Sequence, residues 1–197
     1  MHAATVEPGR PFVLVIEEVN RGNPAQILGE LLTLVEATKR GPEEALRLAY
    51  PRSIDERVYV PENLYIVGTM NLADRSLALV DLALRRRFAF LTLMPELGSR
   101  WRAWCIARGV PSALVAEIGA RMDVLNAAIA EDRALGPQFQ VGHSFVTPLG
   151  DDALSEDGWR RWYDETIETE VAPLLAEYWF DDATKARQQT AALRLQG

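Results

Sequence analysis

Two adjacent carboxylates follow the first apolar run of the chain. Phe12 to Ile16 (FVLVI) is short and rich in β-branched residues, which predicts a buried strand of a parallel sheet. Glu17 and Glu18 come directly after it. The carboxyl ends of such strands line the ligand crevice of open α/β sheets. There, one carboxylate can hold a hydrated divalent cation and the other can polarise a water, although acidic residues after a strand are more often solvated turn residues.

A neutral amide follows the second apolar run in the corresponding place. Leu64 to Val67 (LYIV) predicts another buried strand, and it leads into Gly68-Thr69-Met70-Asn71. An amide there suits a water or a terminal phosphate, because it adds no negative charge. Asn71 can equally cap the turn that follows, and the two roles are compatible.

Three consecutive arginines, Arg85 to Arg87, end a helical pattern that begins at Asp74 or Ser76. Three adjacent side chains cannot all point the same way on a helix, so some of them point outward. Guanidinium groups bind phosphate charge well and are often supplied to the site of a neighbouring subunit. For any one of these arginines, a solvated place in the last turn of the helix is the alternative.

The elements that position these residues fall into two parts. Asn23 and Pro24 are typical of a helix start, and the apolar stripe that follows predicts a helix to about Thr38. Phe88 to Leu93 (FAFLTL) predicts a third strand. Later segments are helical in pattern: 100–108, 112–131, 159–178 and 181–195. We therefore expect an α/β part over residues 1–95 and an α-helical part over residues 96–197.

Composition excludes several classes of protein. The chain has 197 residues, a formal net charge of -7 and 48% apolar residues. The apolar fraction excludes a disordered protein, and the negative net charge excludes one that binds nucleic acid over a broad basic surface. A single cysteine, Cys105, excludes a disulfide framework and is expected only to pack. No uncharged apolar run is long enough to cross a membrane, and we find no signal peptide pattern, which fits a cytoplasmic protein. The five tryptophans are expected in the helical core.

The two lysines of the chain exclude one kind of phosphate site. Lys39 is followed by Arg40 and Lys185 by Ala186, so neither belongs to a Gly-rich phosphate loop ending in Gly-Lys-Ser/Thr.

These motifs, in this order, resemble the McrB-like AAA+ proteins, the nucleotide-hydrolysing subunits of modification-dependent restriction systems. The resemblance covers roughly residues 11–185, and the GTMNLADRS stretch is its most specific part. It rests on five segments: Val15–Asn23 (VIEEVNRGN), Asn63–Ser76 (NLYIVGTMNLADRS), Val80–Phe88 (VDLALRRRF), Val141–Phe145 (VGHSF) and Val171–Trp179 (VAPLLAEYW).

The resemblance implies roles for the residues of the α/β part. Glu17 would occupy the Walker B position, holding Mg²⁺ through water, and Glu18 would be the catalytic glutamate that prepares the attacking water. Asn71 would be the sensor-1 residue. Arg87, or Arg86 in its place, would be the arginine finger that acts on a neighbouring subunit.

Four further positions are carried over in the same way. Asp74 and Arg75 would belong to the loop through which the family communicates with its partner subunit and with adjacent protomers; an N-cap is the alternative for Asp74. His143 and Ser144 would lie where the helical lid approaches the nucleotide. For His143, a structural hydrogen bond is the more common fate of such a residue.

Two departures from the family pattern qualify the resemblance. The family usually has Asp at the position of Glu17, so the metal shell must shift or weaken. Its phosphate loop and the strand before it would lie N-terminal to residue 1, so we expect a C-terminal part of a AAA+ αβα sandwich, from a truncated or split reading frame. The predicted third strand would then lack its neighbour, leaving backbone groups unpaired.

As a whole, the resemblance implies a hexameric motor that hydrolyses GTP or ATP with Mg²⁺. An McrC-like endonuclease would be its partner, and a separate domain would recognise DNA. Two alternatives stay open. One is an inactive remnant or assembly module, because the phosphate loop is lacking. The other is a MoxR-type chaperone ATPase, which shares the general layout.

Overall fold

A computed structural model describes residues 1–51, 53–71, 73, 82–150 and 154–195. The chain divides into two compact units, Met1–Leu91 and Thr92–Gly197. The first unit is α/β and contains a parallel pair of strands, whereas the second is helical. The predicted fold class, an α/β part followed by a helical part, is confirmed.

Two strands lie side by side in the first unit. β1 (Phe12–Ile16) and β2 (Leu64–Gly68) pair in parallel, with Phe12 opposite Leu64 and Ile16 opposite Gly68. Both predicted strands are confirmed, and β2 is one residue longer than predicted. Because the strands are parallel and in this register, their carboxyl ends meet at one edge of the sheet.

The strands are not buried on both faces, so that prediction is wrong. Val13, Leu14 and Val15 are 62%, 44% and 56% exposed, and Tyr65 is 58% exposed. Residues 88–93, predicted as a third strand, form none, because a strand requires a hydrogen-bonded neighbour and this segment pairs with neither β1 nor β2. The small core of the unit lies at the other end of the strands and consists of Ala4, Leu34, Val60 and Leu64, with Phe12, Leu31 and Leu46 packed against it.

The helix predicted after β1 is broken in two. α2 (Pro24–Leu28) begins as expected, with the Asn23 Oδ1 accepting the N–H of Gln26 at 3.1 Å. Gly29 then has a φ of +50°, the left-handed conformation that ends helices, and α3 (Leu31–Leu34) follows. A 3₁₀ turn covers Ala37–Lys39.

Shorter helices complete the first unit. α1 (His2–Val6) precedes β1, and α4 (Leu82–Arg85) carries the start of the arginine run. The segment between β1 and β2 contains a 3₁₀ turn at Pro42–Glu44 and an antiparallel bridge between Leu46 and Val58. Asp74 and Ser76, the predicted start of the arginine helix, lie outside the described residues.

The second unit consists of helices whose bounds follow the predicted pattern closely. They are α5 (Ser99–Ala107), α6 (Ser112–Glu131), α7 (Glu156–Thr166), α8 (Ala172–Tyr178) and α9 (Ala183–Leu193). Two 3₁₀ turns, Pro137–Phe139 and His143–Val146, follow α6. A π-helical turn, Ile167–Val171, joins α7 to α8 just before Pro173, whose missing N–H interrupts the α-helical hydrogen-bond ladder. Among the described residues, no helix is both long and apolar enough to cross a membrane.

The core of this unit confirms most of the aromatic prediction. Trp101, Trp159 and Trp179 are 5%, 2% and 3% exposed, but Trp104 is 49% exposed and is not a core residue. Cys105 is buried, and burial raises the pKa of its thiol to about 11, which suits a packing role.

Candidate functional site

Four hydrogen bonds join the carboxyl ends of β1 and β2, one of them from the backbone N–H of Thr69 to the Ile16 carbonyl at 3.0 Å. The backbone N–H of Val19 donates to the Thr69 carbonyl at 2.8 Å, and that of Glu18 donates to the Thr69 Oγ1 at 3.1 Å. The Asn20 Nδ2 donates to the carbonyl of Asn71 at 3.2 Å. The turn that carries the paired carboxylates and the turn that carries Asn71 are therefore held side by side.

Glu18 has an unusual backbone. Its φ is +51°, and it is the one non-glycine residue of the described chain with a positive φ. A side chain with a Cβ is disfavoured there, and residues held in such conformations cluster at functional sites. The carbonyl of Glu18 accepts the N–H of Arg21 at 2.8 Å, and its exposed carboxylate pairs with the Arg21 guanidinium. The tight turn thus fixes the backbone position of Glu18 at the carboxyl end of β1.

The side chains at this edge carry the oxygen donors that a hard cation prefers, whereas the described residues contain no group of three or more His, Cys, Asp or Glu side chains that could hold a metal ion. Glu17 and Glu18 are both exposed and supply carboxylate oxygens, the ligands that Mg²⁺ prefers directly or through water. Beside them, Asn20 is 5% exposed, and its buried Oδ1 has no hydrogen-bond partner among the described residues. An orphaned buried acceptor is uncommon in folded proteins.

Asn71 uses half of its side chain to shape its own turn. The Asn71 Oδ1 accepts the N–H of Ala73 at 3.0 Å, which is the capping alternative considered above. The amide nitrogen can still donate to a ligand. Asn71 is exposed at the same sheet edge as Glu18, so capping and ligand binding are compatible in this geometry.

The three arginines lie in different surroundings. Arg85 is exposed, with its guanidinium carbon 6.0 Å from the centre of the Phe90 ring. Arg86 is exposed. The Arg87 Nη2 forms an ion pair with the Glu36 Oε1 at 2.8 Å, and the Arg87 side chain is only 18% exposed.

The other predicted positions lie either outside the described residues or in the second unit. Asp74 and Arg75 lie outside the described residues. His143 and Ser144 belong to the second unit, where they begin a 3₁₀ turn. The His143 Nδ1 accepts the backbone N–H of Glu96 at 3.1 Å, so the proton of the neutral ring sits on Nε2. His143 therefore makes the structural hydrogen bond that Sequence analysis gave as the alternative to a role at the nucleotide.

His143 also borders a cavity of about 260 Å³ in the second unit. Its wall includes an exposed ring, Trp104, and a buried one, Trp101, whose Nε1 donates to the Thr147 Oγ1 at 2.9 Å. The cavity is lined by Glu96, Arg100, Trp101, Trp104, His143 and Thr147. Ser144 is exposed and is not part of this lining.

Sequence reasoning missed three residues of the strand-end site. Thr69 receives the N–H of Glu18, Asn20 bridges the two turns, and Arg21 pairs with the Glu18 carboxylate. The signal was available for Asn20 and Arg21, since a polar Val-Asn-Arg-Gly-Asn stretch directly follows the carboxylates. Their contacts span up to 51 residues, and the sequence pattern does not show such contacts.

Two family models match separate parts of the chain. The AAA domain of the dynein-related subfamily matches residues 1–88, and the α-helical lid domain of McrB matches residues 117–187. The first match includes the joined strand ends, and the second lies entirely in the helical unit.

Two curated relatives are restriction proteins. The chain is 38% identical, over 192 residues, to the type IV methyl-directed restriction enzyme EcoKMcrB subunit of Escherichia coli (strain K12), covering 96% of this chain and 41% of that protein. It is 35% identical, over 88 residues, to the type II restriction enzyme BsuMI component YdiS of Bacillus subtilis (strain 168), covering 40% of this chain and 26% of that protein. The chain thus spans about two fifths of the first relative and a quarter of the second.

Proposed function

Because this chain belongs to the McrB-like family of AAA+ proteins, we propose that it supplies the strand-end carboxylates, the sensor amide and the helical lid of a nucleoside-triphosphatase motor. One observation carries the proposal: parallel strands β1 and β2 end at one edge, where hydrogen bonds join the turn of Glu17 and Glu18 to the turn of Asn71. Hydrolysis of a phosphoanhydride needs such a convergence of carboxylate and neutral amide.

Each residue has a distinct task in this proposal. Glu17 would hold the cation, and Glu18 orients the attacking water and accepts its proton. Asn71 donates from its amide to the terminal phosphate. Bound Mg²⁺ would neutralise phosphate charge. Arg21 pairs with the Glu18 carboxylate in this structure and lies beside it at the strand end.

The remaining assignments rest on the resemblance. An arginine of the run acts on the nucleotide of a neighbouring subunit in a hexameric ring, and Asp74 and Arg75 contact the partner. His143 and Ser144 act toward the nucleotide. The nucleotide that the motor hydrolyses is GTP or ATP. An McrC-like endonuclease and a separate DNA-recognition domain complete the system, which works in the cytoplasm. We place the α/β part of the motor at residues 1–95 and its helical lid at residues 96–197.

A specific observation favours the assembly-module alternative for the chain by itself. Both lysines are engaged within their own units: Lys39 lies 3.2 Å from Glu44, and Lys185 lies 2.5 Å from Asp132. Neither can cradle a phosphate without breaking an ion pair. The motor therefore needs a phosphate-binding loop from outside these residues, and the 197 residues alone should act only in assembly. No described feature favours the MoxR-type alternative.

The decisive experiment uses the complete NTPase, meaning this chain together with the segment that supplies its phosphate loop. Glu18→Gln should lower turnover by about 10²- to 10⁴-fold, the usual contribution of a general base, and leave nucleotide affinity in a calorimeter unchanged. Glu62→Gln, an exposed glutamate before the start of β2, is the matched control and should leave both unchanged. Normal turnover of Glu18→Gln would refute the assignment.

The isolated chain tests the alternative. Titration of the 197 residues with Mg·GTP or Mg·ATP should show no binding, because no lysine is available for phosphate. Tight binding there would contradict the need for an external loop.

A further inference from the structure

A ring nitrogen of His143 attaches the first residues of the helical unit to the rest of it. The Nδ1 accepts the backbone N–H of Glu96 at 3.1 Å. Glu96 belongs to residues 92–98, the stretch that begins this unit and leads into α5. The next anchor along the chain is Leu97, which is 6% exposed and whose carbonyl accepts from the Arg102 Nε at 3.2 Å.

The backbone around His143 is held by groups that do not titrate. On one side, the Thr147 Oγ1 donates to the His143 carbonyl at 2.6 Å and accepts from the Trp101 Nε1 of α5 at 2.9 Å. On the other side, the side-chain amide of Asn126 accepts the N–H of Val141 at 2.7 Å and donates to its carbonyl at 3.0 Å. The ring is therefore presented from a fixed loop at any pH near neutrality.

The direction of the hydrogen bond to Glu96 makes it sensitive to protonation. A neutral imidazole has one acceptor nitrogen, whereas a protonated imidazole donates from both nitrogens. Once Nδ1 carries a proton, the N–H of Glu96 faces another donor and the hydrogen bond is lost. Because the loop that carries His143 is fixed, the loss must be accommodated by the stretch that contains Glu96.

His143 is the histidine that can respond in this unit. The sequence contains two histidines, and His2 lies in the first unit. Imidazole is the side chain whose ordinary charge change falls between about pH 5 and 8. The thiol of Cys105 does not titrate in that range, because burial raises its pKa to about 11.

Two charged side chains border the same cavity as the ring. The Glu96 carboxylate favours a protonated ring and can accept from it, whereas the Arg100 guanidinium opposes the added charge. A third charge lies behind the cavity wall, since the guanidinium carbon of Arg108 is 3.4 Å from the centre of the Trp104 ring. Protonation thus exchanges a bond to the Glu96 backbone for an attraction to the Glu96 side chain.

α7 also packs against the 3₁₀ turn that contains the ring, and its buried residues are uncharged: Trp159, Tyr163 and Thr166. The partly buried charges of this helix have partners of their own. Arg160 lies 4.0 Å from a Glu117 oxygen and 3.8 Å from a Glu156 oxygen. The Asp164 Oδ1 accepts the N–H of Leu195 at 3.0 Å.

We propose that His143 is a pH-sensitive latch: the neutral ring holds residues 92–96 to the helical unit through the Glu96 N–H, and protonation of Nδ1 releases them. The latch decides whether this unit holds the chain from its first residues or only from Leu97 onward. It goes beyond the proposed function and does not depend on nucleotide hydrolysis.

The experiment follows the full chain by NMR between about pH 5 and 8, the range of imidazole titration. The protection of the Glu96 N–H against hydrogen exchange, relative to the intrinsic exchange rate at each pH, should fall by about 3- to 10-fold at low pH, the scale of one lost hydrogen bond. Its midpoint should coincide with that of the His143 ring signals. The N–H of Val141, bonded to Asn126, is the internal control and should keep its protection.

Two variants separate the acceptor from the charge. His143→Asn places an amide oxygen close to the position of Nδ1, and this oxygen accepts without titrating, so the Glu96 N–H should stay protected at both ends of the range. His143→Gln carries its amide one bond further from Cα and leaves no acceptor at that position. Protection of Glu96 should then be low at both ends.

Two results would overturn the latch. One is unchanged protection of the Glu96 N–H across the titration of the ring. The other is an equal pH-dependent loss in His143→Asn, which would assign the effect to another group. If tryptophan fluorescence shows that His143→Gln does not fold, the comparison of wild type with His143→Asn decides by itself.

Discussion

The two units of the chain differ in how completely they bury their apolar residues. In the helical unit, Met122 and Ile129 of α6 and Leu175 of α8 are all 0% exposed. In the α/β unit, three consecutive apolar residues of β1 are about half exposed. Helices satisfy their backbone internally and can close a core over one contiguous stretch, whereas two paired strands cover little surface.

The less buried unit is the one that carries the candidate site. Its exposed apolar residues, including Val13, Val15 and Tyr65, form the kind of surface that marks an interaction site in soluble proteins. Glu18 adds local backbone strain to this unit. Among the described residues, the helical unit therefore buries its apolar side chains more completely than the α/β unit, whose strands stay about half exposed.

The largest expected effect is in the helical core. Leu125→Ala, at a residue 1% exposed, should lower the free energy of unfolding by about 2–5 kcal/mol, because it leaves a cavity in α6 packing. All five tryptophans lie within residues 92–197, so urea unfolding followed by tryptophan fluorescence reports on this unit. As a control, Val124→Ala replaces a neighbouring residue that is 67% exposed. It should change the free energy of unfolding by less than about 0.5 kcal/mol.

The matching truncation in the α/β unit is Val15→Ala. Val15 is 56% exposed, so this variant should lower the free energy of opening of β1 by no more than about 1 kcal/mol, as measured by amide hydrogen exchange. A loss as large as that of Leu125→Ala would mean that the strands are covered, and the contrast between the units would fail.

An intermediate effect is expected at a partly buried polar cluster of the helical unit. The Asp132 Oδ2 accepts from the Trp179 Nε1 at 2.8 Å and from the Lys185 Nζ at 2.5 Å, and these hydrogen bonds hold the pKa of Asp132 well below its usual range. At pH 7, Asp132→Asn should lower the free energy of unfolding by about 1–2 kcal/mol, because the hydrogen bond to Lys185 loses its charge assistance.

The pH dependence of this effect has a definite sign. The lowered pKa means that Asp132 stabilises the fold fully above the ordinary carboxyl pKa of about 4 and progressively less as the pH falls below it. The difference between wild type and Asp132→Asn should therefore be constant from pH 5 to 7 and shrink below pH 4 in urea titrations. Asp123→Asn, at an exposed position of α6, is the control. Its free energy of unfolding should differ from that of the wild type by no more than about 0.5 kcal/mol at any of these pH values.

The smallest effect concerns the strained turn. Glu17→Gly should destabilise the β1 end by about 0.5–1 kcal/mol, the usual cost of glycine at an ordinary backbone position. Glu18→Gly should cost nothing measurable, since the residue already has a φ of +51° that glycine adopts readily. Hydrogen exchange at the N–H of Val19 gives the comparison, and an equal loss in both variants would show that the turn is unstrained.

Local patterns predicted much of this structure. The bounds of β1 and α6 were predicted to the residue, because apolar runs and helical periodicity depend on neighbours in the chain. The helix after β1 was not, since Gly29 adopts a left-handed conformation that the apolar stripe did not reveal. The third strand failed for a different reason, because strand formation depends on a partner distant in sequence.

The candidate site divides in the same way. The residue order alone placed Glu17, Glu18 and Asn71 after two apolar runs, and their chemistry pointed to a cation and a phosphate. Only the tertiary structure decided that Asn20 and Thr69 join the two turns, and that Arg87 pairs with Glu36 while Arg86 stays exposed. The physical reason is that residue type and spacing set what a side chain can do, whereas long-range hydrogen bonds and ion pairs set which side chains are available to do it.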